Sequence, residues 1–571
     1  MMASDSTENL SIINEDYQGL HLLSGPPQIE QIETFSGRTR ALTISKDGNY
    51  IAFSDNVSTK VVDLNDRSVK FTQDIPGVQF VDLSPKNNFL QAWVYTKNAT
   101  DHNLMIYDIK SNTLVQTMKQ KQAQWRLHWT DDESICVRFF NEELHFYENN
   151  DFTRYIAKFY TQKVADFSLT THVKSGVHYF ACLSIGTHGQ PNFVKLYRYP
   201  QMETAIAIKS FFRTDRTTFK WRSRGDAVLI LCAADVDKTG KSYYGEQNLN
   251  YMDVNGKAFA VTLDKEGPIH AVEWHPSTTE TLFCVSYGFV PPKLAFVDSD
   301  GRIIHSFGEM HINQIHFNPF GNLVIFAGFG NLRGGLSVYN SEKKTLLAQL
   351  TSPDTTYINW APDGAHLLTA VTSPRMRVGN CLRVWHYSGK LIGEIQYPDG
   401  DSLFRSIWRP NRDDFPNAPM ITETGIKAAN LGKEAEPKRY VPPHLRNSGA
   451  TLEATTSGPL SKSSANLRSK GPKGRGGRRG GGGGDRQAKP PAAKAPEASE
   501  ASAPTGATSG SESNDKDNRE KKVKAIEKKL EAIKNLKTVR SSGGQLQRNQ
   551  LVKISKEKEL LAELKKLQIV E

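Results

Sequence analysis

Apolar and polar residues alternate in short runs along the first three-quarters of the chain, and the runs come in pairs. The clearest pair is Tyr357 to Thr372, YINWAPDGAHLLTAVT, where two apolar runs flank Ala361-Pro362-Asp363-Gly364. Proline presets φ at the first turn position and glycine accepts a positive φ at the end, so the stretch spells strand, tight turn, strand. The same outline recurs with its turn at Lys46, Pro85, Asp131, Thr171, Ser223, Pro276, Pro319, Pro362 and Pro410, at intervals of 39 to 53 residues. Between successive turns lies a second alternating pair, such as STKVVDLNDRSVKFTQ or CLRVWHYSGKLIGEI, with the short polar turn of a solvent-edged hairpin. A period close to that of a four-stranded blade, with loops absorbing the excess, predicts an all-β, nine-bladed β-propeller, with eight blades as the fallback.

Nine anchor hairpins leave only eight outer pairs between them. The ninth is expected from the N-terminal segment Gly19 to Phe35, GLHLLSGPPQIEQIETF, completing the blade whose inner strands are placed near Ser406 to Thr422. Leu20 to Ile32 should then lie beside Met420. Joining the two chain ends in one blade removes the open edges that invite aggregation. The resulting organisation is a flexible N-terminus (1–18), a WD40-like propeller (19–430), a disordered Arg/Gly- and Pro/Ala-rich linker (431–515) and a basic, amphipathic helical region (516–571).

Charge separates the ring from the C-terminal region. Of a formal +11, residues 431–515 hold 14 Lys/Arg against 8 Asp/Glu and residues 516–571 hold 16 against 8, which leaves about −3 for residues 1–430. Basic arms on a near-neutral scaffold are the pattern expected of a partner for a polyanion. Residues 447–515 have almost no large apolar side chains and cannot offset the entropy of ordering. Within them Arg468, Lys470, Lys473, Arg475, Arg478, Arg479 and Arg486 stand among glycines, an arrangement that neutralises phosphates in many geometries and stacks on unpaired bases. The other reading is a soluble tether. Val523, Ile526, Leu530 and Ile533, then Leu551, Ile554, Leu561, Leu564 and Leu567, trace two helical stripes across Ser541-Ser542-Gly543-Gly544, a helical hairpin. Its outer faces carry Lys521, Lys522, Lys524, Lys528, Lys529, Lys553, Lys556, Lys565 and Lys566, candidates for RNA contact.

Chemistry is otherwise sparse. The five cysteines have no metal-ligand or disulfide spacing, and Cys136, Cys182, Cys232 and Cys284 fall on second strands of anchor hairpins as packing residues. His275 and His316 sit at anchor turns and read as structural rather than as ligands or bases. Gly328 to Gly335 imitates a phosphate-binding loop, but a strand comes after it, so no helix N-terminus would meet a phosphate. No catalytic, metal or cofactor site emerges. The longest apolar run, Ala227 to Ala234, falls far short of the ~20 residues that span a bilayer. Two segments remain as candidate contacts: the loop Asp235 to Asn248, with Lys238 and Lys241 beside Tyr243 and Tyr244, and the docking segment KRYVPPHLR, with Arg439, Tyr440 and Arg446.

Together, DKTGKSYYGEQNLNYMDVNG (Asp237 to Gly256), FNPFGNLVIFAGFGNLRGGLSVYN (Phe317 to Asn340), WAPDG (Trp360 to Gly364), RYVPPHLR and the lysine-rich C-terminus resemble the eukaryotic translation initiation factor 2A family over nearly the whole chain. Subunit b of initiation factor 3 is similar around Gly328 to Gly335, but that family carries an RNA-recognition module ahead of its propeller, for which the segment before the first anchor is too short. The resemblance implies a non-catalytic cytoplasmic factor that helps bring initiator methionyl-tRNA to the small ribosomal subunit in non-standard or stress-linked initiation. It implies ribosome or mRNA contacts on the propeller. Contacts for tRNA, mRNA and a translational GTPase would lie in the C-terminal region, at Lys473 to Arg486, Lys521 to Lys537 and Lys553 to Lys566. The competing function is a protein-only propeller scaffold. Propellers serve both.

Overall fold

The hairpin at Tyr357 shows how each blade is built. Strands Tyr357–Trp360 and His366–Val371 pair antiparallel, with Ile358 opposite Thr369 and Trp360 opposite Leu367. In the turn the Gly364 N–H donates to the Ala361 carbonyl at 3.0 Å, with Gly364 at φ +70°. A side chain there would lie 2.6 Å from the Phe320 ring of the preceding blade, so the turn requires glycine for space as well as for φ. Burial pushes the Asp363 carboxyl up, but hydrogen bonds from the His366 ring and from the Ala365 and His366 N–H groups outweigh it and hold the group below its usual range.

The computed structural model describes residues 9–430 except 56, 99–100, 161–162, 173–175, 187–189, 212–213, 235–245, 278 and 423–427, together with Ile533, Lys534 and Leu561. Eight consecutive four-stranded meanders succeed one another. The first takes Ala41–Ile44, Tyr50–Ser54, Ser58–Asp63 and Val69–Asp74, and blades 2 to 8 open at Val78, His128, Val164, Arg216, Ile269, Gln314 and Tyr357. First strands of neighbouring blades touch one another, as Ala41–Ile44 touches Val78–Leu83, whereas last strands such as Val69–Asp74 are largely exposed. First strands therefore line the axis and last strands form the rim. Tryptophan at the end of a first strand ties blades together through its indole N–H: Trp221 donates to Ser168 Oγ, Trp274 to the Lys220 carbonyl and Trp360 to the His316 carbonyl.

The ninth blade closes the ring and departs from the expected pairing. Its strand order runs Gln31–Ser36, Leu20–Ser24, Ser11–Asp16, Leu403–Trp408, so the N-terminal segment supplies three strands and the far end only one. Leu20–Ser24 pairs with Ser11–Asp16 rather than with the region of Met420, which is exposed. A strand thus begins inside the span expected to be a flexible N-terminus. The physical reason lies at Pro410, Pro416 and Pro419: proline cannot donate within a central strand, so the chain past Trp408 makes a short 3-10 turn, Arg412–Asp414, and leaves the sheet. Ser11–Asp16 fills the position, with Ile13 opposite Ile407.

Nine apolar clusters occupy the nine seams between blades. Ile12 packs with Leu368, Leu382 and Val384 of blade 8, and Ile13 with Ile51, Phe53 and Val62 of blade 1, so one strand seals two seams. All five cysteines are buried; burial pushes the Cys182 thiol up to about 12 and Cys232 to about 11, as inert packing groups. Beyond the 3-10 turn the chain crosses blades 8 and 7: the Tyr387 hydroxyl donates to the Met420 carbonyl, and Asn322 Nδ2 to that of Pro419. Ala428–Asn430 then adds a fifth, parallel strand outside Thr345–Thr351.

Contacts divide the chain into units Met1–Gly449 and Ala450–Glu571. In the second, Ile533, Lys534 and Leu561 are helical, with Ile533 buried. The rest of the expected hairpin lies outside the described residues.

Candidate nucleic-acid interface

In a meander, loops joining second to third strands emerge on one face of the ring together with the links between blades. The anchor turns emerge on the other. The first, here the loop face, carries exposed apolar side chains from many blades: Tyr17, Val57, Tyr95, Ile185, Val290 and Val378 each come from a different one. On the anchor face the described residues include Tyr155, Ile156 and Met420. Among the described residues, exposed apolar side chains in loops are thus more numerous on the loop face than on the other. Between blades 6 and 7 the loop face includes a cleft of about 370 Å³, walled by Pro268, Ile269, Val290 and Leu332 and equally by polar Gln247, His270, His311, Asn313 and Asn331.

Blades 2 and 3 make this face basic and aromatic. The link between them, residues 119–127, brings Lys119, Lys121, Trp125 and Arg126 to the surface beside the blade 2 loop with Tyr95 and Lys97. Trp125 stacks on Phe80 at 5.3 Å and 15°, and the Arg126 guanidinium lies 5.4 Å from the Trp125 ring while pairing with Asp82 at 2.9 Å. Arg138 lies over Phe140 at 4.2 Å and Lys158 over Tyr160 at 5.3 Å. Gln120, almost fully buried, fixes these loops to one another. Its carbonyl accepts from Trp93 Nε1 and Asn103 Nδ2, its N–H donates to Asn103 Oδ1, and its side chain donates to the Phe139 carbonyl and accepts from Arg138 Nε. Gln120→Leu should cost about 1–3 kcal/mol by leaving the Phe139 carbonyl and Arg138 short of partners. A urea unfolding midpoint unchanged from the parent protein would show that Gln120 is not the tie.

Around the axis, blades 2 to 7 present polar side chains. At matching positions the first strands present Asp82, His128, Ser168, Lys220, Glu273 and His316, with Lys220 paired to Glu273. Burial, with the Arg126 charge, pushes His128 down to about 4, and burial with Lys220 does the same to His316; both are neutral at physiological pH. Asp166 is pushed up by burial, against one backbone hydrogen bond. Among the described residues no group of three or more His, Cys, Asp or Glu could hold a metal ion, and no helix is long and apolar enough to cross a membrane.

The histidines set aside on sequence grounds are structural. His275 Nε2 donates to the Gly321 carbonyl at 2.9 Å while Nδ1 accepts the Ser277 N–H, and His316 Nε2 lies 3.1 Å from Gln314 Oε1. The glycine-rich stretch is a turn between strands Leu323–Gly328 and Gly335–Asn340, with positive φ at Gly330 and Gly334. Of the spans proposed from sequence for RNA contact only Lys534 is described, as helical, and the individually named lysines and arginines, the loop Lys238, Lys241, Tyr243 and Tyr244, and the docking residues Arg439, Tyr440 and Arg446 lie outside the described residues. The strands flanking that loop end on the loop face, Ala234 opposite Glu246. Sequence reasoning missed the sector on blades 2 and 3, although a link as long as KQKQAQWRL, with two lysines and a tryptophan, was a usable signal.

A family model described as "Eukaryotic translation initiation factor eIF2A" matches residues 209–405. The chain is 35% identical over 439 residues to "Eukaryotic translation initiation factor 2A" of Drosophila melanogaster, covering 74% of this chain and 68% of the relative. It is 31% identical over 557 residues to the protein of the same name from Caenorhabditis elegans, covering 92% of each. A solved structure titled "Crystal structure of the eukaryotic initiation factor" superposes with a TM-score of 0.63 at 26% identity, over 70% of this chain and 99% of that one.

Proposed function

Because the chain belongs to the eukaryotic translation initiation factor 2A family, a family of initiation factors and not of enzymes, we propose that it binds the small ribosomal subunit through the ring and promotes delivery of initiator methionyl-tRNA through its basic C-terminal region, in non-standard or stress-linked initiation. The observation that carries this reading is the division of charge. A near-neutral ring precedes a C-terminal region that holds 30 Lys/Arg against 16 Asp/Glu. Phosphate contacts of this kind supply affinity that is tolerant of sequence and falls with salt. The mixed polar and apolar cleft of the loop face suits the ribosome contact. A translational GTPase would meet the lysine-rich helices, and mRNA would share the basic arms.

The test uses the full-length chain and a variant with Arg468, Lys470, Lys473, Arg475, Arg478, Arg479 and Arg486 changed to glutamine. Both are titrated with initiator tRNA and with purified small subunits at two salt concentrations. The variant should lose roughly 30-fold or more in tRNA affinity and show a shallower salt dependence. Subunit binding should persist. If neither protein binds RNA above a neutral control, the arm is a tether and the scaffold reading holds.

A further inference from the structure

We infer that the ring has an RNA site of its own, separate from the C-terminal arms: the sector on blades 2 and 3 takes a single-stranded RNA segment, its bases on Tyr95 and Tyr160 and its phosphates on the surrounding lysines. Three observations carry this. Tyr95 and Tyr160 are the most exposed aromatic side chains among the described residues, at 63% and 68%. A large planar ring left in water on a rigid scaffold is a stacking platform, and each has a cation close by, Lys97 two residues on and Lys158 over the Tyr160 ring.

The local charge is positive. Lys97, Lys119, Lys121, Arg126, Arg138, Lys158 and Lys163 face Asp82, Asp101, Glu142 and Glu143, and two of those carboxylates are engaged, Asp82 by Arg126 and Glu143 by Lys158. Lys97, Lys119, Lys121 and Lys163 have no ion-pair partner among the described residues and are free to meet phosphates. The link is also tied to the blade 2 loop and to the strand end at Phe139, by the Gln120 hydrogen bonds and the Trp125–Phe80 stack, which lowers the ordering cost on that side of the platform.

The chemistry selects a single strand. Duplex RNA keeps its bases stacked inside and is recognised through its phosphates and 2′-hydroxyls, which would leave the two tyrosine rings unused. Exposed rings beside unpaired lysines serve unstacked bases instead.

The test is photo-crosslinking of the full-length protein to a 12-nucleotide oligouridine carrying 4-thiouridine, with the adducts mapped by mass spectrometry. Adducts are expected on the peptides that contain Tyr95 and Tyr160. The variant Tyr95→Ala/Tyr160→Ala removes only exposed side chains, so its thermal midpoint should match the parent protein. It should lose those adducts at least about tenfold while adducts in residues 468–566 persist. Lys119→Glu/Lys121→Glu should weaken the same ring adducts. Adducts confined to residues 468–566, or ring adducts indifferent to both variants, would overturn the inference. Displacement of the ring adducts by an equimolar acidic peptide but not by unlabelled oligouridine would overturn it in favour of a protein ligand. Ring adducts without arm adducts would sink the proposed role of the arms and leave this site standing.

Discussion

Ile13→Asp should abolish the cooperative unfolding transition of the ring. Ile13 is fully buried at the seam with Ile51, Phe53, Val62 and Leu64 of blade 1, on a strand hydrogen-bonded on both sides, to Leu20–Ser24 and to Leu403–Trp408. The substitution removes an aliphatic core side chain and sets an unpaired carboxylate in its place. Each effect alone reaches several kcal/mol, and a domain of this kind is stable by only about 5–15 kcal/mol. Ile12→Asp should do the same through the opposite seam, against Leu368 and Leu382. Val69→Asp, on the exposed rim of blade 1, is the control and should leave the melting curve within about 0.5 kcal/mol of the parent. A cooperative melt for Ile13→Asp near the parent temperature would mean that the ring stands as eight blades without its closing one.

The second large effect is acid sensitivity above the carboxylate range. His128, His316 and His386 are each pushed from 6.5 down to about 4, with burial as the leading cause. Each is neutral in the folded ring and takes up a proton when the chain unfolds. Stability is therefore complete above about pH 6.5 and is lost as pH falls toward 4. One such group contributes at most about 1.4 kcal/mol per pH unit across that window. His128 and His316 together thus give at most roughly 2–3 kcal/mol per pH unit, and His386, which is less enclosed, adds less. His145, His178 and His275 are shifted in the same direction. Asp82 and Asp166, raised by burial, work against the trend, because the folded ring holds their protons more tightly than the unfolded chain. Thermal melts at pH 7.5, 6 and 5 should show a clear fall, and His128→Gln/His316→Gln should flatten it. A parent protein equally stable at pH 5 and pH 7.5 would mean that these imidazoles are hydrated along the axis.

The eight uninterrupted blades were legible because each hairpin repeats one physical device, an alternating run broken by a turn that needs proline, aspartate or glycine. The ninth was legible only in part. SIINED looks like an acidic leader, yet all six residues are buried, because the polar ones find specific partners: Glu15 accepts from the Thr39 hydroxyl, and Asp16 accepts from the Gly19 N–H and the Tyr397 hydroxyl. Hydropathy does not see such partners, which lie up to 381 residues away. The seam retains the cost of that composition: Ser11 Oγ, Asn14 Oδ1, Ser406 Oγ and Trp408 Nε1 are buried without a hydrogen-bond partner among the described residues. The proposed site on blades 2 and 3 was legible only in its link, KQKQAQWRL, for a different reason. Tyr95, Lys119, Arg138 and Tyr160 lie on four separate segments, and only the meander brings their loops to one face.

Building one blade from both ends of the ring also sets a clock. Asn411, which bonds to the Asn9 carbonyl, lies 402 residues downstream of it. At a synthesis rate of about 5–20 residues per second, the first three strands wait roughly 20–80 s on the ribosome before their partner emerges. Throughout that interval Ser11–Asp16 presents an unpaired edge beside Ile12, Ile13 and Leu20, while eight complete blades accumulate behind it. The nascent ring is therefore most exposed to strand exchange with a neighbouring nascent chain just before it is finished, and polysomes are where that hazard concentrates.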